Sequence, residues 1–159
     1  MPDTTTTGEP IDADIDSHRR EPRAPWAVLG VIAAGGATGS MARYGLTVVV
    51  PARPGAFPWA TFAINVTGCL LIGVLMVLIA EVWAAHRLLR PFLGTGLLGG
   101  FTTFSTYTVD VQQLVAAGAA RIALAYLAGT LGAALVAVYA GITATRLATR
   151  TRPWRKGKR

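Results

Sequence analysis

Carboxylates are scarce in this chain, and where they are missing matters more than how few there are. Of eight Asp and Glu residues, six (Asp3, Glu9, Asp12, Asp14, Asp16, Glu21) fall within the first 21 positions. Only Glu81 and Asp110 remain for the other 138. Glu81 stands at the end of an apolar stretch and Asp110 follows an interrupted one, so no stretch has an acid near its middle. Proton-coupled carriers usually need an intramembrane acid, and this pattern argues against one. The single cysteine, Cys69, precludes an intrachain disulfide and reads as a small packing residue within an apolar run. His18 lies in the polar head and His86 in a short connection, and no Cys/His set at metal-ligand spacing is present, so no side-chain metal cluster is expected. There is no Ser/His/Asp set and no Gly-rich loop ending in Gly-Lys-Ser/Thr. An enzyme has no residues to work with here.

What fills the chain instead is apolar. Charged residues are 14% of the sequence, against roughly 25% in an average soluble domain. Hydrophobic residues are 52% and mean hydropathy is +0.46, values that point to lipid. A bilayer core takes about 20 apolar residues per helix, and four stretches are long enough: about 26–50, 59–83, 91–117 and 120–147. Pro51 to Gly55 closes the first, and Pro91 suits a helix start. Trp26, Trp59, Trp83 and Trp154 fall near span ends, as interfacial aromatics do. The expected fold is an all-α membrane protein of four transmembrane helices. Residues 1–23 form a disordered polar head, 24–147 the membrane domain and 148–159 a basic tail. The first apolar span begins too far in, and runs too long, for a cleaved signal peptide.

Charge also predicts orientation. Four spans put both termini on one side, and that side collects Arg19, Arg20, Arg23, Arg87, Arg90 and seven basic groups from Arg146 to Arg159. The other side has Arg53 and Arg121, with Arg43 near the end of the first span. Twelve against two or three places both termini in the cytoplasm by the positive-inside rule. The basic tail directly follows an apolar span, so it reads as a membrane flank with affinity for anionic lipid and not as a nucleic-acid arm.

The polar groups inside the spans are uncharged hydrogen-bond donors: Asn65 in the second, Thr102, Thr103, Ser105 and Thr106 in the third, and Thr130 in the fourth. Each alone could be interhelical glue. Gly68 and Gly73 beside Asn65, and Gly129 and Ala133 beside Thr130, read first as close-packing surfaces. The third span is different. Gly94, Gly96, Gly99 and Gly100 precede the Thr/Ser cluster, and each Gly costs a helix interior about 1 kcal/mol relative to Ala. A helix broken at membrane depth must lie inside protein or beside a wet cavity, where its free carbonyls suit a cation and its free amides an anion. Phe104 and Tyr107, three apart, share a helical face and could turn electropositive ring edges toward an anion. Arg43 reads as a snorkelling side chain or as a vestibule charge that concentrates anions.

These residues form a collinear pattern. Gly35-Gly36-x-x-Gly39-x-x-x-Arg43-Tyr44 is followed by Thr61-Phe62-x-x-Asn65-x-x-Gly68-Cys69, then by Gly94-x-Gly96-x-x-Gly99-Gly100-Phe101-Thr102-Thr103-Phe104-Ser105-Thr106. From about residue 30 to 140 the pattern resembles the Fluc (CrcB) fluoride channels. The resemblance implies a passive, fluoride-selective exporter in the plasma membrane, built as an antiparallel dimer with the third helix broken near the bilayer midplane. It assigns Asn65, Phe104, Ser105, Thr106, Tyr107 and Thr130 to the fluoride pore and Arg43 to a vestibule. A structural Na+ would be held at the dimer centre by the backbone carbonyls of Gly99 and Thr102 from both subunits. Two departures stand out. Tyr107 occupies a position where the family has phenylalanine. The strong charge bias suits a heterodimer with an oppositely oriented homologue better than a dual-orientation homodimer. The alternatives are therefore a non-conducting or obligate partner subunit and, from another class, a small four-helix multidrug exporter, which would need a membrane-buried acid.

Overall fold

The computed structural model describes residues 25–82 and 87–150. The polar head, residues 83–86 and the tail from 151 onward lie outside the described residues, and with them the expected disorder of residues 1–23, Trp83, His86 and Trp154. Every regular element among the described residues is a helix, with no strand.

Helix α1, Pro25–Val49, starts on a proline, the residue best suited to a first helical position. It ends before Pro51 and Pro54, and the loop that follows turns on Gly55 at φ +71. Helix α2, Trp59–Val77, continues into a wider-wound π segment, Leu78–Val82. Helix α3 is itself wound as π over Pro91–Leu98 and closes with an α turn, Gly99–Phe101. The chain is extended at Thr102 and resumes as α4, Ser105–Ala116. Gly118, at φ +74, caps α4: Gly118 N–H reaches the Val115 carbonyl and Ala119 N–H the Leu114 carbonyl, the paired bonds of a Schellman turn. Helix α5, Ala120–Arg150, runs three residues beyond the expected end at Leu147, because nothing before Pro153 stops a helix.

The third span is thus broken as expected, but just after its glycines, which stay within the π and α turns of α3. Two helices, 59–80 and 120–149, are apolar and long enough to cross a membrane unaided, with mean hydropathy 2.5 and 1.9. α1 is long enough, but glycines and Arg43 dilute it, and α3 and α4 make one span only as a pair.

Two backbone-close pairings organise the bundle. α2 packs on α5 through Gly73 and Gly141, where a Cβ would overlap the Val138 and Leu70 carbonyls. α1 packs on α3 through Gly35, Gly39, Gly96 and Gly100. A Cβ on Gly96 would stand 2.8 Å from the Ile32 carbonyl oxygen, and one on Gly39 would overlap the Leu97 carbonyl. Gly129 has open space around it, so its expected packing is not made within this chain. A small core joins Leu114, Ala123 and the fully buried Tyr126 to Phe57, Phe62 and Tyr107. Outside it, α5 shows solvent-ward Leu124, Leu131, Leu135 and Tyr139, an apolar face suited to lipid or a second subunit.

The α1–α3 contact makes a direct prediction. Gly39→Val forces two backbones apart and should destabilise the fold by about 3 kcal/mol, the upper end for overpacking. Gly30→Ala, where a Cβ meets nothing, should leave stability unchanged or slightly raised. Thermal unfolding in detergent compares the two, and equal melting temperatures would mean that the helices do not meet there.

Candidate functional site

The break in the third span frees backbone groups that a continuous helix would pair, and the sequence supplies replacements one by one. The Asn65 side chain takes both backbone groups of one residue, Thr103. Its Nδ2 donates to the Thr103 carbonyl at 3.0 Å, and its Oδ1 accepts from Thr103 N–H at 2.9 Å. Thr103 Oγ1 then accepts from Thr106 N–H at 3.1 Å, in the manner of an N-cap, and donates to Thr106 Oγ1 at 3.0 Å. The Gly100 carbonyl receives Arg43 Nε at 3.2 Å and Ser40 Oγ at 3.4 Å. Thr102 caps its own turn, with Oγ1 donating to the Leu98 carbonyl at 2.9 Å. Gly68 makes room for all this, since a Cβ there would run into the Thr102 methyl.

The break also parts several carbonyls from their helical donors, those of Gly99 and Thr102 among them. In an unbroken helix the Gly99 carbonyl would receive Thr103 N–H, and the Thr102 carbonyl would receive Thr106 N–H. Both donors are spent on side chains, Asn65 and Thr103. The carbonyl end of α3 and the amide end of α4 therefore face the same gap, one electronegative and the other electropositive.

A cavity of about 360 Å³ opens at this gap. Asn65, Thr103, Phe104, Tyr107 and Thr130 line it, with Gly99 and Thr102 at its α3 edge. Thr130 is 5% exposed, and its hydroxyl has no hydrogen-bond partner among the described residues. A buried orphan hydroxyl is uncommon and asks for a ligand. Asn65 keeps one amide N–H beyond the bond to Thr103. Phe104 is 79% exposed, its ring centroid 5.9 Å from that of Tyr107. The Tyr107 hydroxyl donates to the Leu127 carbonyl at 2.7 Å, tying α4 to α5.

The residues expected to act together divide between two cavities. Asn65, Phe104, Tyr107 and Thr130 share the one just described, whereas Arg43 and Thr106 line a second, of about 350 Å³. Ser105 is exposed and lies 3.3 Å from Thr103 Oγ1. Arg43 does two things at once: it borders the second cavity and bonds the broken helix through Gly100.

Sequence reasoning missed Asp110. It is no trailing charge at the end of a span: it lies 9% exposed inside the bundle and accepts from Tyr126 Oη at 3.1 Å. It borders the second cavity together with Thr61 and Arg43. The absence of a buried acid, read from the sequence, is therefore overturned. Because α4 restarts at Ser105, Asp110 falls in its second turn, packed against α5. The period of α4 counted from the break would have found it.

An all-helical membrane bundle, with one span interrupted beside a cavity that uncharged polar side chains help to line, defines the class. The chain belongs to the family described as CrcB-like protein, Camphor Resistance (CrcB), which it matches over residues 30–142. It is 54% identical over 135 residues to the fluoride-specific ion channel FluC 2 of Streptomyces avermitilis, covering 82% of this chain and 84% of that one. Over 130 residues it is 55% identical to the fluoride-specific ion channel FluC 2 of Nocardia farcinica, covering 82% and 93%. Over 129 residues it is 54% identical to the fluoride-specific ion channel FluC 1 of Streptomyces coelicolor, covering 81% and 82%. These relatives are named as channels and not as enzymes.

Proposed function

We propose that this chain is a subunit of a fluoride-selective channel of the plasma membrane that lets fluoride leave the cytoplasm passively. The observation that carries the reading is the buried, unpartnered Thr130 hydroxyl in a cavity it shares with Asn65, Phe104 and Tyr107. Desolvating a small anion costs tens of kcal/mol unless other donors replace its water. Here the replacements are the Thr130 hydroxyl, the spare Asn65 amide N–H and the ring edges of Phe104 and Tyr107. None carries a full positive charge, so an ion can enter and still leave. The similarity to proteins named fluoride-specific ion channels supports fluoride as that ion.

The functional unit is an antiparallel dimer, with the break near the bilayer midplane and both termini cytoplasmic. The exposed Phe104 and the open face at Gly129 favour a second subunit against this surface. The carbonyls of Gly99 and Thr102, whose helical donors are spent elsewhere, fit a Na+ that each subunit would help to hold. Bound there, the ion would neutralise the carbonyl end of α3 and tie the two breaks together. Removing sodium during purification should raise the dimer dissociation constant by about tenfold or more, roughly 1.4 kcal/mol, as read by single-molecule photobleaching in liposomes. A dimer indifferent to sodium would remove the ion from this account.

The charge bias of twelve cations against two or three favours a second reading, an obligate heterodimer with an oppositely inserted homologue. Asp110 supplies the buried acid that a multidrug exporter needs, but membership of the CrcB-like family speaks against that class. Fluoride efflux from liposomes holding this chain alone, with chloride as control, separates the readings. Selective efflux supports a self-sufficient channel. Silence from a folded sample that becomes active with a homologue supports the obligate partner, and silence with every homologue ends the fluoride reading.

A further inference from the structure

The Tyr107 hydroxyl sits where an anion ligand would be useful, yet it is bonded to protein. It donates to the Leu127 carbonyl at 2.7 Å, and Leu127 lies one turn before Thr130 on α5. Both Tyr107 and Thr130 line the 360 Å³ cavity. Leu127 is inside a continuous helix, so its carbonyl already has a helical donor and takes the tyrosine on its second lone pair. Losing that bond would orphan nothing on α5.

The ring has little freedom to leave. Its centroid lies 5.1 Å from Tyr126 and 5.9 Å from Phe104. The hydroxyl hydrogen needs only a rotation about the Cζ–Oη bond to point elsewhere. We infer that the Tyr107 hydroxyl is an exchangeable anion ligand, which can leave the Leu127 carbonyl and donate to fluoride when the ion lies beside Thr130. The inference rests on the fluoride reading above and adds a second hydroxyl to it.

Strength decides the direction of exchange. A hydrogen bond to an ion is roughly twice as strong as one between neutral groups, so fluoride outcompetes a carbonyl that keeps another donor. Two hydroxyls, one from α4 and one from α5, then close on the ion from adjacent helices. The site becomes more retentive than one with a phenylalanine edge at position 107. Conduction needs binding that is favourable but not too deep, so this hydroxyl trades throughput for retention.

The test uses the full chain labelled with ¹³Cζ-tyrosine in detergent micelles, titrated with sodium fluoride against sodium chloride. The sequence has four tyrosines, and the resonance missing from Tyr107→Phe identifies this one. The Tyr107 signal should move saturably with fluoride and stay still with chloride, while that of Tyr139, 69% exposed on α5, stays still with both. In bilayer recordings, Tyr107→Phe should raise the half-saturating fluoride concentration about tenfold and the saturating current about threefold. Fluoride that shifts a Thr130 methyl resonance but not Tyr107 would overturn this inference and leave the fluoride reading intact. If no resonance responds and liposomes stay silent with every homologue, both fall together.

Discussion

Asn65→Leu should cost the protein its break and, with it, its transport. The Asn65 amide is the one side chain that satisfies both the N–H and the C=O of Thr103, at 2.9 and 3.0 Å. Leucine is close in size but offers neither a donor nor an acceptor to this part-buried backbone. Each stranded backbone group costs about 1–3 kcal/mol, so the pair amounts to about 2–6 kcal/mol. That is large against a typical folding stability of about 5–15 kcal/mol. The chain has an escape, which is to wind Thr102–Phe104 into helix and return Thr103 N–H to the Gly99 carbonyl. The escape would close the gap between α3 and α4 and cover the Gly99 carbonyl, one of the two proposed to hold sodium. Fluoride efflux should fall at least about a hundredfold, and the melting temperature in detergent should drop or lose its sodium dependence. Asn65→Asp keeps the acceptor, loses the donor to the Thr103 carbonyl and sets a negative charge in the cavity, so it should also block efflux while disturbing the fold less. Normal efflux from Asn65→Leu would show that the break holds without its clamp.

A weak third span was legible in the sequence because its cause is local: four glycines within seven positions, 94 to 100, strain a helix, and the hydroxyl residues that follow are cap formers. The exact place of the break was not, since the glycines stay helical and the chain opens only at Thr102. Span limits were legible for the same kind of reason, with Pro51, Pro91, Trp26 and Trp59 at or beside described helix ends. The partners of the break were not legible. Asn65 is 38 residues from Thr103 and Arg43 is 57 from Gly100, and only tertiary packing decides which side chain meets which peptide. Tyr107 shows the limit most clearly. Its spacing from Phe104 placed it on the right face, but its hydroxyl is used 20 residues away, on α5. Asp110 was misplaced because a residue's depth depends on where its helix starts, and α4 starts at the break and not at Pro91. The α1–α3 and α2–α5 glycine contacts lie between: the motifs were visible and their mates were not.

Thr130→Val should separate function from stability, because the two effects have opposite signs. Valine has the shape of threonine without the hydroxyl, so packing around this 5%-exposed position barely changes. The hydroxyl has no partner, and burying such a group costs about 1–3 kcal/mol by mutational scales. Removing it should therefore raise stability by about 1 kcal/mol, seen as a higher melting temperature in detergent. If fluoride takes a hydrogen bond from this hydroxyl, the variant loses a contact to an ion worth about 1.5–3 kcal/mol. Efflux should then fall about tenfold to a hundredfold, at about 1.4 kcal/mol per decade. Thr130→Ser keeps the donor and should hold efflux within about threefold of the parent, at some loss of packing from the missing methyl. A valine variant that melts lower and conducts normally would instead make this hydroxyl a tie between helices, and fluoride would need another donor. A more stable, silent variant beside an active serine one would tie ion passage to a single oxygen that the fold leaves unsatisfied.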